Sequence, residues 1–389
     1  MRKIHALLLC SLLILSACTP VFDNKQKVVK ETKDESSNQS AILPSYSAAD
    51  DNYKMILSKD TPTTSAARGL TTNQMGNRLD ISEFESGLRR HSQEYFSPDK
   101  YYFQPGQYLD YDTLIEWLSR HEPDDPKTED KDESNEGLNP ELNMKNPTEQ
   151  DYRKHPKYIS NIVEQDYLVK KDNVVKINGI TIGISLRSEY HFSVDGKEYT
   201  EKHSRSELIS KGKKYAGEIL KRLRKQKELE DVPIVFAIYQ EETASSKVPG
   251  NFLSKSYVKG SDMTVKDWEP IKENYVLFPS DEAEENHFDD SQLFSEFRNE
   301  VSDYFPNFVG MIANGFYVDD ELHQVKINIP IQFNSNSEVV GFTQYVYSLV
   351  NEMFEDHYDV EVNIYSMDQQ ESLIVKKAGE SDAYVHIYE

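Results

Sequence analysis

Near neutral pH the thiolate is the side-chain nucleophile most readily used for covalent attachment, and this 389-residue chain has only two cysteines, Cys10 and Cys18. Cys18 follows Leu15, Ser16 and Ala17, and the small Ser16 and Ala17 suit a peptidase that cuts at the bond between Ala17 and Cys18. Cys10 follows Leu8 and Leu9 and lacks small neighbours. Leu15, Ser16, Ala17 and Cys18 therefore read as a bacterial lipobox. In that chemistry the thiol takes a diacylglyceryl thioether, the signal peptidase cuts before the cysteine, and the new amine is acylated, for example with palmitate.

The flanking residues place this chemistry at a membrane. Arg2 and Lys3 give a positive start, and residues 4–17 run apolar with His5 the only strongly polar member. A spanning helix needs about 20 apolar residues. Residues 1–17 are thus expected to be a removable signal peptide and not an anchor. The anchor is the lipid on Cys18, since two or three acyl chains hold firmly at about 0.8 kcal/mol per buried methylene.

Other chemistry is sparse. HExxH, GxSxG, GxxxxGK[ST] and GxGxxG are all absent. Acylation of Cys18 and removal of Cys10 leave no thiolate and no disulfide. Residues 281–290, with His287, Asp289 and Asp290, and residues 319–323, with His323, offer carboxylate and imidazole ligands, but nothing in their spacing imposes a coordination geometry. The acidic tract 122–151 lacks the glycine-centred loop of a calcium site and reads as a solvated insertion. We expect no catalytic residue, metal or cofactor.

Two segments have the composition of a binding surface. Residues 94–118 are dense in tyrosine, which suits either a sugar-binding groove or the packing of an inserted block, with Asp112 capping a helix through Trp117. Residues 211–227 form a basic helix whose charges fall opposite a Leu/Ile stripe; a solvated face is the default. Lys213, Lys221 and Arg224 would be its contacts to an anionic wall polymer or membrane.

Charge narrows the partners. There are 67 Asp and Glu, and the 44 Lys and Arg fall to 42 once Arg2 and Lys3 are cut away, giving about −25. So acidic a surface repels nucleic acid and anionic lipid headgroups. Residues 18–50 are Lys, Glu, Asp, Ser and Asn with few apolar anchors, which predicts a flexible tether.

The elements that follow are written twice. Residues 155–178 lie over 305–328 without a gap, pairing Tyr167 with Tyr317 and VKIN with VKIN. Residues 51–58 match 273–280, residues 81–98 match 294–306, and Ile238-Tyr239 match Ile364-Tyr365. Stripes at Ile81, Phe84, Leu88 and Tyr95, behind an Asp80 or Ser82 cap, and at Phe294, Phe297 and Val301 predict helices. A β-branched strand, a long helix and further strands complete each copy, with FLSKSYV and DAYVHIY as the closing strands. The expectation is an α+β fold of two related repeats, each with a mixed sheet and a long crossover helix. Repeat one spans 51–260, carrying an inserted block at about 99–155, and repeat two spans 272–389.

The lipobox, the polar tether, residues 78–110 (RLDISEFESGLRRHSQEYFSPDKYYFQPGQYLD) and residues 137–142 (GLNPEL) together resemble the CamS family of Gram-positive sex-pheromone lipoproteins. The resemblance implies a lipoprotein on the outer face of the cytoplasmic membrane, exposed to the cell wall. It also implies that lipoprotein-processing enzymes release a secreted heptapeptide, read by a pheromone receptor in a plasmid-bearing recipient. By position that peptide is Ser11, Leu12, Leu13, Ile14, Leu15, Ser16 and Ala17. For the mature domain the resemblance implies no activity. A non-enzymatic binding or adhesion module is expected, with a transporter's solute-binding lipoprotein or a wall-polymer hydrolase as alternatives.

Overall fold

The computed structural model describes residues 26–30, 39–43, 52–58, 63–122, 136–142, 145–172, 174–305, 310–332, 335–367 and 369–388. Five short elements come first: β1 (Gln26–Lys30), β2 (Gln39–Leu43), β3 (Lys54–Met55), β4 (Leu57–Ser58) and α1 (Leu70–Gln74). They are followed by α2 (Arg78–Ser92), β5 (Tyr102–Pro105), α3 (Tyr111–Leu118), α4 (Glu149–Lys154), β6 (Ile159–Lys171) and β7 (Val174–Arg187). The first unit closes with β8 (Glu189–Val194), β9 (Lys197–Lys202), α5 (Arg205–Leu223), β10 (Ile234–Glu241), β11 (Asn251–Val258) and β12 (Glu269–Pro270). The second unit comprises β13 (Glu273–Phe278), α6 (Asp281–Asn286), α7 (Phe288–Tyr304), β14 (Ile312–Val318), β15 (Glu321–Pro330), α8 (Asn336–Met353), β16 (Asp359–Ser366), β17 (Gln369–Lys376) and β18 (Tyr384–Ile387). The fold is α+β, with mixed sheets.

Both sheets use one pairing order. In the first, β5, β6 and β7 are antiparallel neighbours, β7 runs parallel to β10 across the helix α5, and β10 is antiparallel to β11. In the second, β13, β14 and β15 are antiparallel, β15 is parallel to β16 across α8, and β16 is antiparallel to β17. Register irregularities fall at corresponding places, between Ile238 and Tyr239 and between Ile364 and Tyr365. Ile180, Ile182 and Ile184 face Leu208, Tyr215 and Ile219 of α5 in one core. Val325, Ile327 and Ile329 face Phe342 and Val346 of α8 in the other.

Several correspondences read from sequence shift in three dimensions. Ser185 pairs with Tyr239 and Pro330 with Tyr365, so residues 179–185 answer to 324–330. The two VKIN tetrapeptides are therefore not equivalent, although they align without a gap. Val175 lies on the outer arm of the β6–β7 hairpin, which is longer in the first unit, whereas Val325 faces the second core. Strand β17 intervenes before β18, so FLSKSYV answers to β17 and not to DAYVHIY. Strand β12 pairs with β11, which carries the first unit past residue 260.

The larger shift concerns the inserted block. Helix α2 matches α7 in sequence but lies on the opposite face of its sheet: Phe84 and Leu88 pack on Ala237, Tyr239 and Phe252, away from α5. The place beside the crossover helix that α7 holds next to α8 is held in the first unit by α3, whose Trp117 sits under Arg222 of α5 at 5.0 Å. The counterpart of β13–α7–β14 is thus β5–α3–β6, the first two of which lie inside the block 99–155 expected to be extra. The added material is instead β3, β4, α1 and α2. Short amphipathic matches specify a helix and its stripe but not which face of a sheet receives it.

Local signals shift less. Asn77, not Asp80 or Ser82, caps α2, its Oδ1 accepting from Leu79 N at 2.9 Å. Asp110, not Asp112, caps α3, accepting from Thr113 N at 2.8 Å. Strand β8 leaves the main sheet and pairs only with β9. Within the 18–50 stretch expected as a tether, β1 and β2 form an antiparallel pair, and β1 adds to β7 at Val174 and Val175. Val28-Val29 and Ala41-Ile42-Leu43 supply a local β propensity that the overall polar composition concealed.

Candidate functional site

Where the added segment meets β5, α3 and β6, a cleft of about 720 Å³ opens. A volume of this order is typical of small-molecule sites. Met55, Leu57, Leu70, Phe103, Leu109 and Ile162 give its walls an apolar character. Met55 and Leu57, on short strands next to each other in sequence, are each 42% exposed. Among the described residues the second unit has no counterpart of this segment.

A buried carboxylate holds one wall in place. Glu164 Oε1 accepts from the backbone N–H of Gln107 at 3.1 Å and of Tyr108 at 3.0 Å, and Oε2 accepts from Leu109 N at 2.6 Å. Gly106 permits this approach, because a Cβ there would stand 2.5 Å from Glu164 Cβ. Burial pushes the Glu164 carboxyl above the ordinary range, and hydrogen bonds from Asp166 and the three N–H groups pull the other way. Gln165 is committed too: its Nε2 donates to Glu85 O at 2.8 Å and its Oε1 accepts from Tyr167 Oη at 3.0 Å. The polar floor is therefore already hydrogen-bonded to the protein.

Two cations line the opening. Arg89 is half-buried, with its guanidinium carbon 5.6 Å from the centre of the Phe103 ring, and Arg68 is exposed. Among the described residues neither guanidinium has an ion pair. By contrast Arg90, next in sequence to Arg89, is bound to Glu83 at 2.7 Å and to Glu273 at 2.9 Å.

The family description of the CamS sex pheromone cAM373 precursor matches residues 63–382, which takes in α1 to α8 and strands β5 to β17 but not Met55 and Leu57 of the cleft. The chain belongs to this family. The crystal structure of a sex pheromone precursor from Lactobacillus salivarius subsp. salivarius UCC118 superposes with a TM-score of 0.79 at 30% identity, over 89% of this chain and 98% of that one. The C-terminal domain of the sex pheromone staph-cAM373 precursor from Staphylococcus aureus superposes with a TM-score of 0.70 at 32% identity, over 81% of this chain and 98% of that one. No curated protein matches the chain.

Within this CamS chain the residues singled out from sequence have varied fates. Cys18, the lipobox Leu15–Ala17 and residues 11–17 lie outside the described residues. His287 packs at a tilt against Tyr317 with ring centres 4.0 Å apart, and Asp290 accepts from Tyr317 Oη at 2.6 Å. Asp289 and His323 are exposed, and among the described residues no three His, Cys, Asp or Glu side chains converge as metal ligands would. The tyrosine-rich run packs internally: Tyr95 stacks on Tyr257 at 4.8 Å, and Phe96 on Tyr167 at 4.8 Å. Of the three contacts expected on the basic helix, Lys213 and Lys221 are exposed and Arg224 is not. Arg224 is buried and donates to the carbonyls of Val232 at 2.8 Å, Asp262 at 3.2 Å and Lys259 at 3.2 Å, while Lys221 pairs with Glu218 at 2.8 Å. Among the described residues no helix is long and apolar enough to cross a membrane.

Sequence reasoning missed the cleft. Its residues come from five separate stretches and share no spacing. The one legible trace was Arg89-Arg90, two adjacent cations on an amphipathic helix, which must point in different directions.

Proposed function

We propose that this chain is exported as a membrane-anchored lipoprotein and that its leader is the source of a short apolar signalling peptide. Leu15, Ser16, Ala17 and Cys18, read together with membership of a pheromone-precursor family, support this. Cleavage before Cys18 leaves the mature domain lipid-anchored on the outer face of the cytoplasmic membrane. Trimming of the leader yields Ser11 to Ala17, which a receptor in a plasmid-bearing recipient reads. Two measurements test this. Labelled palmitate should enter the wild-type protein but not Cys18→Ala, and mass spectrometry of the culture medium should find SLLILSA. A labelled Cys18→Ala protein would remove the anchor, and medium without the peptide would remove the signal.

For the mature domain we infer a non-enzymatic binding role centred on the first-unit cleft. What carries this reading is that the cleft is roomy while its buried carboxylate, Glu164, is saturated by backbone donors. A carboxylate committed to three N–H groups is a scaffold for the wall and is poorly placed as a general acid or base for wall-polymer hydrolysis. Thermal shift of the chain against small-molecule extracts of the cell envelope tests the binding reading. Stabilisation is expected, and it should vanish in Ala67→Trp, which fills the cleft from its loop side. Equal stabilisation of both proteins would sink the idea.

A further inference from the structure

We propose that the cleft takes a single-chain amphiphile with an anionic head, its tail on the aliphatic wall and its head at Arg89 and Arg68. The proposal rests on the binding reading and assigns the chemistry of the ligand. Three observations on the cleft converge on it.

The first is the state of the floor. A sugar or an amino acid needs several free donors and acceptors deep in its site, because each polar group buried without a partner costs about 1–3 kcal/mol. Here Glu164 is consumed by Gln107, Tyr108 and Leu109, Gln165 by Glu85 O and Tyr167 Oη, and the Thr71 hydroxyl accepts from Asn161 Nδ2 at 3.1 Å. The acid and amide that β6 contributes to the cleft are thus committed to the protein, which favours an apolar occupant against that strand.

The second is the wall. Met55, Leu57, Leu70, Leu109 and Ile162 are flexible or branched aliphatic side chains, which follow the contour of an acyl chain better than the flat face of a sugar ring. Met55 and Leu57 stay substantially exposed, so apolar area remains to be covered by an occupant.

The third is the sign of the opening. On a chain carrying a formal net charge of −23, Arg89 and Arg68 line the same cleft, and neither has a carboxylate partner among the described residues. Two acids, Glu85 and Glu164, also line the cleft; Glu164 is held by backbone N–H groups, and Glu85 has no ion pair with Arg89 although it lies four positions earlier on the same helix. Arginine also matches carboxylate and phosphate geometry with paired donors. A fatty acid and a lysophospholipid share the required chemistry.

The experiment uses isolated membranes bearing the full chain, supplied with a diazirine-bearing palmitate and no acyl-coenzyme A, so that only light can attach the probe. Crosslinks are expected on peptides containing Met55, Leu57 and Leu70. Oleate or lysophosphatidylglycerol should compete, and oleyl alcohol should not. Competition by oleate alone identifies a carboxylate head, and competition by lysophosphatidylglycerol alone identifies a phosphate head. In Arg89→Gln the oleate needed for half-competition should rise about tenfold, with Arg89→Lys recovering part of the loss. Unchanged circular dichroism of both purified variants shows that the fold is intact. If oleyl alcohol competes as well as oleate, the anionic head is overturned while the cleft remains a binding site. If crosslinks fall elsewhere while Ala67→Trp still abolishes the thermal shift, the amphiphile is overturned and the binding reading stands. If that shift is also absent, both fall.

Discussion

Asp80 shows how one buried acid ties distant stretches of chain together. It sits in the first turn of α2, 1% exposed, and accepts from Tyr239 Oη at 2.7 Å, Gly250 N at 2.7 Å and Glu242 N at 3.2 Å. Burial raises its pKa to about 6 despite those donors. The folded state therefore binds a proton more tightly than the unfolded chain, so the associated stability is full below the ordinary carboxylate range and is lost as pH rises through about 6. Lowering the pH from 7 to 4 should strengthen this contribution by about 2–3 kcal/mol. Urea titrations of wild type and Asp80→Asn should show a shallower loss of stability with rising pH in the variant. Glu164 makes the complementary case, since Glu164→Ala strands three N–H groups. We expect a loss of about 3 kcal/mol in urea unfolding. Faster amide exchange at Gln107, Tyr108 and Leu109 should accompany it.

Among the elements, α2 carries more of the architecture than its sequence match suggested. It packs on the first sheet through Phe84 and Leu88, and the sheet makes room with Gly183, where a Cβ would meet Leu88 Cδ1 at 2.5 Å and Phe84 Cε2 at 2.7 Å. On its other side Arg90 reaches the second sheet, 4.8 Å above the Phe316 ring. Gly183→Ala should push α2 off the sheet and cost about 1–3 kcal/mol. Because α2 also supplies Arg89, the same substitution should weaken ligand binding at the cleft, checked by the crosslinking yield. Tyr95, read as part of the same stripe, lies beyond the helix end at Ser92, but the helix itself and its stripe were legible from Ile81, Phe84 and Leu88. Its placement was not, because packing on either face of the sheet satisfies the same stripe.

Across the whole molecule, a small charged network joins the units. Glu273, at the start of the second unit, accepts from Arg90 at 2.9 Å and contacts His91 Nε2 at 3.2 Å, and its side chain is only 6% exposed. Burial works against its ionisation, but the His91 hydrogen bond and the Arg90 charge hold its pKa at about 2. A depressed carboxylate stabilises above the unfolded value and loses that contribution as pH falls through the folded one. The joint between the units should thus loosen between about pH 4.5 and pH 2. Glu273→Gln should cost about 2 kcal/mol at pH 7, moderated by the partial exposure of Arg90. In a double-mutant cycle with Arg90→Met the coupling should exceed about 1 kcal/mol. Additive losses would show the two sheets to be joined by other contacts.

Composition, charge and the residues around Cys18 settled from sequence what kind of chain this is: acidic, poor in catalytic motifs, α+β, and similar throughout to one family. Such properties are local or additive, so they survive without coordinates. The order of strands, the face taken by α2, the equivalence of β5–α3–β6 with β13–α7–β14, and the cleft required the tertiary structure. Each depends on which apolar surface finds which partner across long separations, and a gapless match such as VKIN over VKIN can align letters that occupy different places in their sheets. Burial also separated arginines that look alike in sequence. Arg224 is spent on backbone carbonyls and Arg90 on Glu273, while Arg89 lines the cleft without a carboxylate among the described residues.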